Sequence, residues 1–173
     1  LNGSFIYTPA ANYNGADSFA YRAHDGTSYS STSTVTVSVS AANDPPASTA
    51  DAYTTDEDTT LNVSAAGVLA NDWDVDGDSL SAILVSGPGH GTLTLNLNGS
   101  FSYTPATDYN GADTFTYRAY DGVAYSSITT VTVTVNAIND PPVATADTYA
   151  TNEDTALNVS AAGVLANDSD VDG

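Results

Sequence analysis

The chain has 173 residues with 21 acidic side chains against two arginines, no lysine, no cysteine and no methionine, and a formal net charge of −19. So acidic a surface repels nucleic-acid phosphates and anionic lipid headgroups and attracts cations. The missing cysteines exclude disulfides and thiol chemistry, while 41% hydrophobic residues is too much for a disordered acidic tail.

Three sequence runs return at one fixed offset. LNGSFIYTPA at Leu1 recurs as LNGSFSYTPA at Leu97, NDPP at Asn43 recurs at Asn139, and VLANDWDVDG at Val68 recurs as VLANDSDVDG at Val164, each 96 residues on. Aligned without gaps, residues 1–77 and 97–173 agree at 57 of 77 positions. That period suits an independently folding domain rather than a solenoid unit. NDPP marks the boundary, because two prolines interrupt a strand pattern and stiffen a linker. Residues 1–46 then read as the C-terminal half of a preceding repeat, 47–142 as one complete repeat and 143–173 as the N-terminal third of the next. The chain opens on Leu1 and shows neither a signal peptide nor a long apolar run. This predicts a window onto a longer tandem array. Alternatively, the incomplete ends of neighbouring molecules complement each other's strands into a fibre.

Within the complete repeat, alternation of apolar and polar residues dominates. It predicts strands over 47–54 and 59–64, then the irregular stretch AAGVLANDWDVDGD. Further strands are predicted over 79–85, 91–96, 100–105, 113–120 and 127–137, with Asp121-Gly122 as the turn between the last two. Phe115, Tyr117 and Ala119 fall on one face, as do Val131, Val133 and Val135. The predicted fold is all-β: tandem immunoglobulin-like sandwiches of about seven antiparallel strands.

Asp72, Asp74, Asp76 and Asp78 crowd into seven residues with no cation beside them. Asp-x-Asp-x-Asp-Gly matches the first half of an EF-hand loop, where alternate side chains converge on a hard cation and glycine allows the sharp turn. The second half is missing, since Ile83 stands where a bidentate glutamate would be. The next copy keeps Asp168, Asp170 and Asp172 while Trp73 becomes Ser169. These loops are expected to bind Ca2+, which tolerates many carboxylate ligands better than Mg2+ does. A solvated acidic turn is the blander alternative.

Strand direction places the other acids. The turn carrying Glu57 and Asp58 lies at the exit end of the complete repeat, beside the linker residues Asn139 and Asp140. Asp168, Asp170 and Asp172 of the next repeat approach the same junction. Asn43 and Asp44 pair with Asp72, Asp74, Asp76 and Asp78 at the entry junction by the same logic. Asp51, Asp147, Glu153, Asp154 and Asp113 are weaker candidates.

NDPPxAxxDxYxTxED, GVLANDxDVDGD and YTPAxxYNGADxFxYRAxDG, which together span nearly the whole chain, resemble the bacterial cadherin-like tandem repeats of large secreted, RTX-type surface adhesins. The resemblance implies a calcium-bridged extracellular stalk on the cell surface, with a role in adhesion or biofilm formation. Its partners would be neighbouring identical repeats, and host or matrix ligands bound through other domains.

Tyr21 and Tyr117 are expected in the core, His24 and His90 as isolated polar residues, and Arg22 and Arg118 in pairs with acids across the sheet. Four Asn-x-Ser sequences, beginning at Asn2, Asn62, Asn98 and Asn158, formally match glycan acceptors. Catalysis is not expected: there is no cysteine or lysine, no histidine recurs between copies, and no Gly-x-Ser-x-Gly elbow is present. Against the stalk stand the fibre reading and a repeat that itself binds carbohydrate or a like repeat.

Overall fold

A computed structural model describes residues 2–172. Nine strands run in chain order: β1 (Gly15–Tyr21), β2 (Ser33–Val39), β3 (Asp51–Asp56), β4 (Leu61–Val63), β5 (Ser81–Ser86), β6 (Gly91–Leu95), β7 (Phe101–Pro105), β8 (Gly111–Tyr120) and β9 (Thr129–Asn136). Single 3-10 turns cover Gly67–Leu69 and Gly163–Leu165. Strands β3 to β9 build two sheets, ordered β3-β9-β8-β5 and β4-β7-β6, while β1 and β2 pair with each other. The fold is all-β, as the alternation predicts.

One pairing departs from the expected antiparallel pattern. β3 runs parallel to β9, from Asp51 opposite Val131 to Asp56 opposite Asn136. The first predicted strand also does not run unbroken from Ala47. Ala47 instead exchanges two backbone hydrogen bonds with Trp73, and regular pairing begins only at Asp51. The chain after the linker is thus held first by the Asp-rich loop and only then enters the sheet.

The two sheets meet through alternating side chains. Phe101 and Tyr103 on β7, Phe115, Tyr117 and Ala119 on β8, and Val131, Val133 and Val135 on β9 are all buried. Phe101 stands edge-on to Tyr53 at 5.0 Å and to Phe115 at 5.4 Å, bridging the sheets. The edge-to-face geometry adds to the stabilisation from burial, which is about 1.5–3 kcal/mol for a side chain of this size. Val68 is fully buried against the same core. Its segment is held by a close backbone approach: Val68 N–H donates to Gly99 O at 3.1 Å. A Cβ on Gly99 would lie 1.9 Å from Ala66 O, and one on Gly67 would lie 1.9 Å from Gly99 O. Both glycines are therefore required by space as well as by positive φ.

Among residues 2–46 the counterparts of this core are open: Phe5 is 57% and Tyr21 51% exposed. Tyr149, Leu157 and Val164 are exposed in the same way. Core placement expected from sequence holds for Tyr117 and not for Tyr21. The arginines also differ from expectation. Arg22 Nε donates to Thr32 Oγ1, Arg118 Nε is buried without a partner, and neither arginine meets an acid among the described residues. Arg22, just beyond the end of β1, thus meets a threonine rather than a carboxylate, and Arg118 stands opposite Ile83 of β5. His90 is not isolated: it stacks on Tyr109 at 4.3 Å.

Candidate functional site

The acidic loop following the Gly67–Leu69 turn assigns its carboxylates three separate tasks, and the next copy repeats all three. Asp72 accepts from Thr49 N–H at 2.8 Å, as Asp168 does from Thr145 N–H at 2.8 Å. Asp74 accepts from Asp76 N–H at 2.8 Å and Asp170 from Asp172 N–H at 2.9 Å, each tightening its own turn. Asp76 accepts from Asp44 N–H at 2.8 Å and Asp172 from Asp140 N–H at 2.7 Å, fastening the linker to the loop. The first acid of each loop therefore holds the chain just after the linker, and the third holds the linker itself.

Asp72 has a further partner. Its second oxygen lies 2.8 Å from Tyr117 OH, whose single proton is shared between this carboxylate and Val68 O at 2.6 Å. Burial pushes the Asp72 carboxyl above its ordinary value. Asp51 stands beside it, and burial followed by the charge of Asp72 raises the Asp51 carboxyl to about 6. These two acids face the core tyrosine rather than the linker.

At the exit end, oxygens of Glu57, Asp140 and Asp172 lie within 4.8 Å of one another. Oxygens of Asp58, Asp108 and Asp140 form a second set within the same 4.8 Å limit, so Asp140 belongs to both. Glu57 is only 5% exposed and accepts from Ile138 N–H. Asp140 Oδ2 is occluded and has no hydrogen-bond donor. Desolvation, then the charges of Asp108, Asp172, Asp58 and Glu57, raises the Asp140 carboxyl above its ordinary value. Oxygen-only ligands at such spacing, drawn from several chain segments, fit the flexible, oxygen-rich coordination of Ca2+. A third set, Asp74, Asp76 and Asp78, gathers within the first loop alone.

Of the predicted residues, the structure brings together Glu57, Asp58, Asp140 and Asp172 at the exit junction, and Asp74, Asp76 and Asp78 in the first loop, with Asp44 bonded to Asp76. Asp168 and Asp170 remain in their own loop's hydrogen bonds. Asn43 donates to Asp44 O and to Asp121 Oδ2, and Asn139 donates to Asp140 O, so both asparagines brace the linkers. Among the weaker candidates, Asp147 accepts from Tyr149 OH at 3.4 Å, and Glu153 and Asp154 are exposed. Asp113 is buried and accepts from Gly89 N–H, His90 N–H, Thr114 N–H and Tyr103 OH. Burial pushes its carboxyl up, but these donors outweigh that and hold it below its ordinary value. Asp113 thus fastens the 86–91 loop to the sheet.

Asp108 was not among the expected residues. Its loop lies at the same end as Glu57, which is the signal that sequence offers, but Asn12 at the equivalent place hides it. Around the entry linker, Asn12, Asp44 and Asp76 line one depression, the counterpart of the Asp108–Asp140–Asp172 arrangement.

Among known proteins, the bacterial Ig domain family matches residues 1–38 and the bacterial cadherin-like domain family matches residues 43–137. Such domains are non-enzymatic repeat units, typically extracellular or on the cell surface. No described helix is long and apolar enough to cross a membrane. Nothing among curated proteins matches the chain. Of solved structures, the endo-fucoidan hydrolase MfFcnA4 from glycoside hydrolase family 107 aligns with 79% of this chain and 22% of its own, at 20% identity and a TM-score of 0.39. A variant of that enzyme gives 21% identity over the same shares and a TM-score of 0.42. The related MfFcnA9 covers 74% of this chain and 23% of its own, at 20% identity and a TM-score of 0.38. The chain spans less than a quarter of these enzymes, and likeness at this level bears on neither activity nor substrate. The match to residues 43–137 is of another kind: it takes in more than half of the chain, which belongs to the bacterial cadherin-like domain family.

Proposed function

We propose that this chain is part of a calcium-stiffened extracellular stalk, a run of sandwich repeats that holds the adhesive portion of a bacterial surface protein away from the cell. The observation that carries this reading is Asp140. It is a linker residue, yet its carboxylate sits within 4.8 Å of acids from the repeat before it and of Asp172 from the repeat after it. A divalent ion there ties three chain segments to one point, which removes the freedom of the linker. At a calcium concentration about 100-fold above the dissociation constant, the junction gains about 2.7 kcal/mol.

Glu57, Asp58, Asp108, Asp140 and Asp172 would hold the ions at the exit junction, and Asp44 with Asp76 would contribute at the entry junction. Neighbouring repeats are the immediate partners, and adhesion to a host, matrix or biofilm surface is left to other parts of the protein. Strand faces dominated by threonine and serine, with no recurring histidine, support a structural rather than a catalytic role.

Small-angle scattering of the full chain in millimolar calcium and then in chelator tests this. The maximum dimension is expected to be longer and more sharply defined with calcium. Identical scattering in both conditions would overturn the stiffening role.

A further inference from the structure

In the complete repeat, residues 51–69 close the sandwich over one apolar face. β3 runs parallel along β9 and β4 pairs with β7, while Tyr53, Leu61, Val63, Val68 and Leu69 pack into the core with Phe101, Phe115 and Val131. Residues 5–39 carry the same face without that cover. Phe5, Tyr7, Phe19, Tyr21 and Val35 stand 96 residues before Phe101, Tyr103, Phe115, Tyr117 and Val131. This face is already assembled. Phe5 meets Phe19 edge-on at 4.9 Å, as Phe101 meets Phe115 at 5.4 Å. Tyr7 OH donates to Asp17 Oδ2 at 2.9 Å, as Tyr103 OH does to Asp113 Oδ2. Phe5, Phe19, Tyr21 and Val35 line a groove of about 540 Å³.

The chain also holds a second form of the cover, at residues 147–165. Tyr149, Leu157, Val159, Val164 and Leu165 repeat the packing residues and are between 44% and 66% exposed. The two covers differ only at the positions of Ala52, Thr54, Asp56 and Thr60, all exposed in the complete repeat. The inward side of the segment is therefore unchanged. Clearance for a close approach is present on both parts. A Cβ on Gly3 or Gly163 would meet nothing within 4 Å, whereas one on Gly99 or Gly67, their counterparts, would lie 1.9 Å from backbone.

We propose that residues 147–165 of one copy dock on residues 5–39 of a second copy, as 51–69 cover 101–135 within the complete repeat. By the register of the complete repeat, residues 147–152 run parallel to 35–40 and residues 157–159 antiparallel to 5–7. Val164 then takes the place that Val68 holds in the core. Strand addition of this kind joins main-chain hydrogen bonds to apolar burial. Each copy offers one donor segment and one acceptor face, so the contact is heterologous and adds copies in series or closes them into a ring. It uses apolar side chains rather than the acids of the exit junction.

Sedimentation of the full chain in chelator and high salt tests this, with calcium bridging removed and the repulsion between copies of net charge −19 screened. The mass is expected to rise with concentration; a monomer throughout, up to about 1 mM chain, would overturn the proposal. Val164→Asp alters a side chain that is 61% exposed, so its melting temperature in dilute solution stays unchanged. It is nevertheless expected to associate about 100-fold more weakly, because docking buries the new charge. Register is read by disulfides, since the chain has no cysteine of its own. Asn62 lies opposite Ser102 across β4 and β7, which makes Asn158 and Ile6 the matching pair. Ile6→Cys mixed with isotope-labelled Asn158→Cys in a glutathione buffer should give the mixed disulfide, identified by mass. Its yield should exceed that from Thr27→Cys with Asn158→Cys about tenfold. Equal yields from the two mixtures, or undiminished association of Val164→Asp, would each overturn the proposal. Scattering of the dilute chain in calcium reads the junction separately, so either result stands without the other.

Discussion

Replacing Glu57 with glutamine removes a charge from the exit junction while leaving its shape, and the consequence depends on calcium. Glu57 is 5% exposed, and its carboxylate lies within 4.8 Å of oxygens from both Asp140 and Asp172. Two unit charges at 4.8 Å repel by about 0.9 kcal/mol at the dielectric constant of water and by about 3.5 kcal/mol at an effective value of 20. Taking the smaller figure, losing both pairs is worth about 2 kcal/mol. Roughly 1 kcal/mol is given back, because Ile138 N–H then donates to a neutral amide oxygen. In chelator Glu57→Gln is therefore expected to be about 1 kcal/mol more stable, a rise in Tm of roughly 4–8 °C for a domain of this size. In calcium the gain of about 2.7 kcal/mol at 100-fold excess falls to about 1.4 kcal/mol if affinity drops tenfold. Differential scanning calorimetry of both chains in calcium and in chelator reads the four values. A variant that is less stable in chelator, with an undiminished calcium increment, would refute the reasoning, since it would mean that the glutamate neither repels its neighbours nor holds an ion.

Asp108→Asn gives the exit junction the residue type that Asn12 supplies at the entry. Calorimetric titration should show calcium binding there about tenfold weaker, with the sandwich itself intact. Asp51 carries a pH signature. Its folded value of about 6 exceeds its ordinary 3.8, so the folded chain holds this proton more tightly than the unfolded chain. Ionised Asp51 therefore destabilises the fold, by nothing below about pH 4, increasingly between about pH 4 and 6, and fully above that. In chelator, Asp51→Asn should raise stability at pH 7 by roughly 1–2 kcal/mol after allowance for solvent screening. That advantage should vanish in a denaturation series taken down through pH 4. Phe115→Ala should cost about 3–5 kcal/mol in urea unfolding, because the ring is 1% exposed. Phe19→Ala should cost well under half of that, its ring being 37% exposed.

Much of the sandwich was legible because the strands obey a period of two. Val131, Val133 and Val135 could be assigned to one buried face from their spacing alone, and the structure buries all three. The parallel pairing of β3 with β9 was not legible. Alternation tells which side chains share a face and not which strand lies alongside or in which direction, and the Ala47–Trp73 exchange between linker and loop has no local pattern either. The acidic loop was legible as a cluster but not in its division of labour. Asp72, Asp74 and Asp76 alternate evenly in sequence, yet the first turns inward to Tyr117 and Thr49, the second tightens the turn and the third reaches the linker. Alternation says which residues share a side of an extended strand, and this loop is not extended. Asp108 stayed hidden because Asn12 at the equivalent position made it look incidental.

The hydrogen bonds at the exit linker also locate the hinge that a bound ion would close. Ile138 N–H is held by Glu57, so residues up to 138 move with the complete repeat. Asp140 N–H is held by Asp172, Val143 exchanges two bonds with Ser169, and Thr145 N–H is held by Asp168, so residues from 140 onward move with the next repeat. Asn139 alone lies between these two anchored segments, and its side chain donates only to its neighbour, Asp140 O. These bonds leave Asn139 as the unanchored residue of the linker, and we expect any relative motion of the two parts at its backbone torsions. An ion shared by Glu57, Asp140 and Asp172 spans that residue directly. Asp58 and Asp108, gathered on the same Asp140, would offer a second tie across it. A proline at position 139 would restrict φ there and, through the residue before it, disfavour helical backbone at Ile138. If the hinge is Asn139, Asn139→Pro should make the chain's scattering nearly independent of calcium, by removing beforehand the freedom that calcium otherwise removes. A calcium effect as large in Asn139→Pro as in the unaltered chain would place the hinge elsewhere.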